Sequence, residues 1–174
     1  MLQEHWLTSE NLFKLNMSPN YTVFGGSAMD NATSNAVLVG RPFGGVATMV
    51  RNDLADDSRC IIIKDRFIII MLCDTLFVNV YLPCSTNIAA NYDLLCVTLD
   101  ELGLELAKWP GHNMVMAGDM NADLRLSSRR SIAIRNLIVS HNLIVSADRI
   151  DLSYDHTYVS DALGHSSMLD FFIL

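Results

Sequence analysis

Residues 60 to 82 hold three apolar runs, "CIIIK", "FIIIMLC" and "LFVNVYL", separated only by the dipeptides "DR" and "DT". Runs of five to seven residues rich in Ile, Val and Phe are strand-length. Polar breaks of two residues leave room for a hairpin turn but not for a crossover helix. The chain must therefore contain an antiparallel meander, with some of its strands buried on both faces. The longest run, Phe67 to Cys73, is far too short to cross a bilayer.

The rest of the chain extends this pattern. "GRPFGG" (Gly40 to Gly45) leads into the strand "VATMV" (Val46 to Val50), and the polar residues 7 to 36 read as loops around one short strand. Ile88, Tyr92, Leu95, Leu99, Leu102 and Leu106 recur at spacings of 4, 3, 4, 3 and 4, which predicts an amphipathic helix packed on a sheet. "WPGHN" ends it before the strand "MVMAG". Ser127 or Ser128 caps a second helix over Arg129 to His141. "NLIVSA", "HTYVS" and "SMLDFFIL" read as three further strands. Strands, helix, strand, helix, strands suits a two-sheet sandwich with outer helices better than a doubly wound parallel sheet.

The 174 residues suffice for one domain with a real core, and no linker divides them. A net charge of −7 argues against holding nucleic acid through a general basic field, though not against local phosphate binding. Cys60, Cys73, Cys84 and Cys96 form no CxxC pair, and the five histidines show no metal-ligand spacing. Cys60 and Cys73, within apolar runs, read as buried thiols of a reducing compartment. "MLQEHWLTSE" has no signal-peptide pattern, and the sequons at Asn16, Asn20 and Asn31 read as chance.

Polar residues interrupt the apolar segments at five places: Glu4; Tyr81 before Pro83; Asp119 and Asn121 in "GDMN"; Thr157; and Ser167 with Asp170 in "SMLD". Taken singly, each has a plain structural reading. G-D-x-N at a strand end makes a turn. Tyr81 can be rim packing, and Glu4 a solvated charge. Asp170, between Leu169 and "FFIL", would be costly to bury without a partner. "GRPFGG" lacks the Lys-Ser/Thr of a P-loop and precedes a strand, so it reads as a loop with Arg41 as a candidate phosphate contact.

The order of these features resembles the endonuclease/exonuclease/phosphatase superfamily. More narrowly, "QEHWL", "GRPFGGVA", "VNVYLP", "AGDMNAD" and "HTYVSDALGHSSMLDFFIL" resemble the endonuclease domain of non-LTR (LINE-type) retrotransposons. The resemblance implies an α/β fold: a four-layer α/β sandwich of two mainly antiparallel sheets flanked by helices. It implies that Glu4 ligates Mg²⁺ (Mn²⁺ as the alternative ion), Asp119 orients or deprotonates the attacking water, and Asn121 holds phosphate or nucleophile from the same strand face. Tyr81 would bond the phosphate or developing oxyanion, and Thr157 and Ser167 would be neutral phosphate contacts. Asp170 would orient a histidine further along, in a Ser-Asp-His segment.

By the same resemblance we expect residues 1–174 to be a single domain, incomplete at its N- and C-termini and lacking the family's first and last strands. Nicking of DNA would then be very weak or absent. The implied substrate is a DNA phosphodiester. The implied partner is a reverse transcriptase of the same polyprotein, with no membrane. The implied setting is intracellular with access to the nucleus. The alternatives are a phosphatase or phosphodiesterase of the same fold acting on small phosphoesters, and a non-catalytic remnant or interaction module. Glu4, Tyr81, Asp119, Asn121, Thr157, Ser167 and Asp170 should converge on one end of the sandwich.

Overall fold

The computed structural model describes residues 1–16, 19–29, 43–84, 89–149, 156–161 and 164–174. They gather into two compact units: Met1–Tyr81 with Asn113–Gly118, and Leu82–His112 with Asp119–Leu174.

In the first unit, β1 (Leu2–Gln3), β2 (Tyr21–Gly26) and β3 (Val46–Arg51) form an antiparallel sheet ordered β1-β3-β2. A second sheet carries β4 (Ser58–Ile63), β5 (Phe67–Leu72) and β6 (Thr75–Tyr81), with β7 (Asn113–Asp119) beside β6. The predicted meander is present: β4 pairs antiparallel with β5, and β5 with β6. Val46 and Val50 of β3 pack with Ile68 and Ile70 of β5 and Tyr81 of β6, so the two sheets share an apolar core. Ile69, on the opposite face of β5, is buried as well, which is why this strand shows no polar alternation.

One polar side chain lies deep in this core. Asn79 of β6 is fully buried. Its amide nitrogen donates to Ala47 O at 2.8 Å, Leu2 O at 3.2 Å and Thr48 Oγ1 at 3.3 Å, and its oxygen accepts from the Gln3 amide. It thus ties β1 and β3 of one sheet to β6 of the other.

Two expectations for this unit change. Residues 9–15 form a 3₁₀ helix, not open loop. Cys73 is exposed, because the tight turn between β5 and β6 places it at φ 51° outside the strand. Cys60 is half-buried, and burial pushes its thiol pKa up. A four-residue helix, α1 (Asn52–Ala55), joins β3 to β4.

The second unit carries both long helices, α2 (Ala89–Leu106) and α3 (Arg129–Ser140). Of the apolar stripe, Leu95, Leu99, Leu102 and Leu106 are buried, and Ile88 lies outside the described residues. Ser128 is the N-cap of α3 and accepts from Ser131 N at 3.0 Å. The helices approach at Gly103, where an added Cβ would sit 3.1 Å from Leu137 Cδ1. Among the described residues, no helix is long and apolar enough to cross a membrane.

The C-terminal region departs from the predicted strands. "NLIVSA" makes only an isolated bridge, Val145 to Ile173, before turning into a 3₁₀ helix at Ser146–Asp148. Arg135 holds that turn through Asp148 at 2.9 and 3.2 Å. "SMLDFFIL" is not one strand. Ser167 ends the hairpin of β8 (Tyr158–Ser160) and β9 (His165–Ser167), while β10 runs Asp170–Ile173. The break arises because side chains take the backbone donors: Asp123 Oδ2 that of Met168, and Thr157 Oγ1 those of Leu169 and Asp170.

Replacing Leu99 by Ala should destabilise the protein by roughly 2–5 kcal/mol, read from urea unfolding. A loss below about 0.5 kcal/mol would contradict this burial. Asn79→Ala should cost roughly 1–3 kcal/mol, because it removes the donor to the buried Ala47 carbonyl and to Leu2 O. An unchanged unfolding midpoint would contradict the role given to this amide.

Candidate active site

The first unit holds Glu4 and Tyr81. Glu4 follows directly on β1, is exposed, and has φ 53°. Its position is fixed from both sides. Upstream, β1 is seated on β3 and Asn79. Downstream, His5 Nε2–H donates to Gly26 O at 3.0 Å while Nδ1 accepts from Leu7 N at 3.0 Å, which selects the neutral Nε2-protonated ring. That ring covers Gly45, where φ is 89° and a Cβ would lie 2.3 Å from His5 Cε1. Trp6 N donates to Gly44 O at 3.0 Å. The Gly-Gly of "GRPFGG" thus admits the segment that carries Glu4. Arg41 lies outside the described residues.

Tyr81 is the last residue of β6 and is buried. Its hydroxyl donates to Glu4 Oε1. The Arg66 guanidinium lies over its ring, 5.1 Å from the centroid, and Arg66 O accepts the Tyr81 N–H at 2.8 Å. Gly118, the penultimate residue of β7, has φ 147°, and a Cβ there would fall 1.9 Å from Val80 O; no other residue fits.

The second unit holds the remaining candidates. Asp119 and Asn121 form an Asx turn: Asn121 N donates to Asp119 Oδ1 at 2.8 Å, and Asn121 Nδ2 to Asp119 Oδ2 at 3.2 Å. Asn121 Nδ2 also donates to Leu82 O at 2.8 Å, and Leu82 N to Asp119 O at 3.0 Å. The extended geometry expected to place both side chains on one strand face does not persist, since Asn121 has φ 47°. The amide reaches the carboxylate through the turn instead.

Met120 N donates to Leu169 O at 2.8 Å, joining that turn to the segment bearing Ser167 and Asp170. Thr157 joins the same segment: its N–H donates to Ser167 O at 3.0 Å and its Oγ1 accepts from Leu169 N at 2.9 Å and Asp170 N at 3.1 Å. With both acceptor positions taken, the Thr157 hydroxyl proton is left to donate. Ser167 is half-buried. Asp170 is exposed on an alternating strand that buries Phe171 and Ile173, so no carboxylate is buried there.

Sequence reasoning gave no role to Asp123, Asn79 or His5. Asp123 Oδ1 accepts from Arg125 Nε at 2.9 Å, and its Oδ2 accepts from Arg125 at 2.7 Å and Met168 N at 3.2 Å. It therefore staples the Asp119 loop to the Ser167 segment. The signal was present in "DLR", an acid two residues before an arginine, but that pattern is common on surfaces.

Among the described residues, no three His, Cys, Asp or Glu side chains gather as a metal cage. A single exposed carboxylate with one oxygen engaged by Tyr81 suits a hard ion that keeps most of its waters, and not tetrahedral zinc.

A model of the endonuclease/exonuclease/phosphatase family matches residues 1–171. A search of curated proteins finds no match. Among solved structures, the 3′ phosphatase NExo from Neisseria bound to a product DNA hairpin superposes with a TM-score of 0.70 at 15% identity, covering 99% of this chain and 74% of that one. An AP endonuclease from Archaeoglobus fulgidus gives 0.64 at 14% identity, covering 98% and 73%. The mixed α/β fold, with several sheets and helices, is the fold of these neighbours.

The Arg125 guanidinium beside Asp123 holds its carboxyl below the usual carboxylate range, and Arg135 does the same for Asp148. Both groups bind protons less readily folded than unfolded, so their stabilisation is present above the unfolded pKa of about 3.9 and is lost as pH falls through the lower folded value. The urea midpoint should therefore fall below about pH 4. Asp123→Asn should lower it at pH 7 and flatten that acid limb; an unchanged limb would remove Asp123 from this account.

Proposed function

This chain belongs to the endonuclease/exonuclease/phosphatase family, and we propose that it is a Mg²⁺-dependent phosphodiester hydrolase that nicks DNA as a LINE-type retrotransposon endonuclease. The observation that carries this reading is the hydrogen bond from Tyr81 to Glu4, which brings together two family-like site residues 77 positions apart. The family is generally dependent on a divalent metal.

In this reading Glu4 holds Mg²⁺ (or Mn²⁺), which supplies positive charge to the phosphate when bound. Tyr81, with its ring fixed in the core, directs a hydroxyl to the same place and can turn its proton to a phosphate oxygen as charge develops there. Asp119 accepts the proton of the attacking water. Its carboxylate is already aligned by Asn121, so orienting it costs little during the reaction. Asn121 fixes the nucleophile or phosphate, Thr157 and Ser167 give neutral contacts, and Asp170 orients a proton-bearing partner. Arg41 remains a candidate phosphate contact.

We further read residues 1–174 as one α/β sandwich domain acting beside a reverse transcriptase of the same polyprotein and needing access to nuclear DNA. The Neisseria neighbour, a 3′ phosphatase, supports a second reading: removal of phosphate from small esters or DNA ends.

Supercoiled plasmid with Mg²⁺ should yield open circles only slowly, and Asp119→Ala should slow this further, by up to about 10²- to 10⁴-fold. Glu4→Gln should raise the Mg²⁺ concentration needed. Phosphate release from monoesters without plasmid nicking would replace the nuclease by the phosphatase. Neither activity would leave a non-catalytic binding module.

A further inference from the structure

An acidic protein that grips DNA needs local cations, because its overall field repels phosphate. In the first unit Arg51 is committed to Asp53 at 2.5 Å. Arg66 is differently placed. It precedes β5, is half-buried, and is anchored through its own carbonyl to the Tyr81 N–H. Its guanidinium lies over the Tyr81 ring, and among the described residues it has no carboxylate partner. Among the described residues no ion pair neutralises this guanidinium. The ring face restrains it while its N–H donors, which lie in the guanidinium plane, stay available for paired bonds to an oxyanion. The same Tyr81 reaches Glu4 with its hydroxyl.

We propose that Arg66 grips a substrate phosphate oxygen at the Tyr81–Glu4 end of the site. This deepens the phosphodiester reading and rests on it. Tyr81 then has two tasks: its ring holds the cation and its hydroxyl meets Glu4. Arg66 also offsets the repulsion that the Glu4 carboxylate exerts on an incoming phosphate.

The test uses the whole protein in EDTA, so that nothing is cleaved, and measures binding of a fluorescent DNA duplex across a KCl series. Arg66→Met should weaken binding by about tenfold and reduce the slope of log K against log salt by about 0.9, the loss of one phosphate contact. Arg66→Lys should recover most of the slope but not the affinity, since charge returns without the paired donors. Retained melting temperature in Arg66→Lys guards against misfolding. Equal affinity and slope in all three proteins would overturn the proposal.

A second arm separates this failure from failure of the nuclease reading. Inorganic phosphate is titrated while the Arg66 Nε–H resonance, assigned by its absence in Arg66→Met, is followed. A saturable shift supports the contact even if no duplex binds; no shift overturns it even if DNA is nicked.

Discussion

The buried amide of Asn79 is the constraint on which the candidate site rests. A strand of two residues cannot hold itself in a sheet, and β1 has only Leu2 and Gln3. Asn79 compensates by binding the Leu2 carbonyl and the Gln3 amide while also binding Ala47, β1's neighbour in β3. A polar group at zero exposure is tolerated only when its hydrogen bonds are made, and this one makes them across both sheets of the first unit. Glu4 is the next residue after that anchored pair. Its position is therefore set by the core on one side, as His5 and Trp6 set it on the other. The same strand carries Tyr81 two residues further on, so one β6 face supplies both the anchor for β1 and the hydroxyl that meets Glu4.

What was legible in the sequence follows from the strength of each local signal. Runs such as "FIIIMLC" and the 3–4 spacing of the leucines in α2 are dictated by burial, which leaves a periodic trace. Ser128 could be read as a cap because capping is local. The C-terminal strands were misjudged because side chains from distant segments, Thr157 and Asp123, claim the backbone donors at 168–170. No pattern within "SMLDFFIL" records that competition. Asn79 was equally silent: an Asn inside "LFVNVYL" looks like an interruption until its partners in β1 and β3 are known.

The two readings of "GDMN", a turn or a catalytic element, do not exclude each other. The Asx turn is what aligns the Asp119 carboxylate, because both of its oxygens accept from Asn121. A carboxylate on a regular strand would be free to sample rotamers, and each sampled orientation would dilute the reactive one. Gly118 makes the turn possible by letting the backbone lie against the Val80 carbonyl. The motif is thus a geometric unit: glycine for the close approach, and an aspartate carboxylate locked by asparagine.

Backbone strain follows the same logic. Among the described residues, five non-glycine positions have positive φ, and Glu4, Trp6 and Asn121 are three of them. Asn121 is a residue type that tolerates this region, but Glu4 and Trp6 are not. Such conformations cost about 1–3 kcal/mol each and persist only where neighbours over-determine them. Here the neighbours are visible: Asn79 before Glu4, the His5 ring on Gly45 after it, and the Gly44 carbonyl on Trp6. The strain is accounted for if the backbone is bent to present the Glu4 carboxylate beside Tyr81, with the stability of the β1–Asn79–His5 framework offsetting its cost.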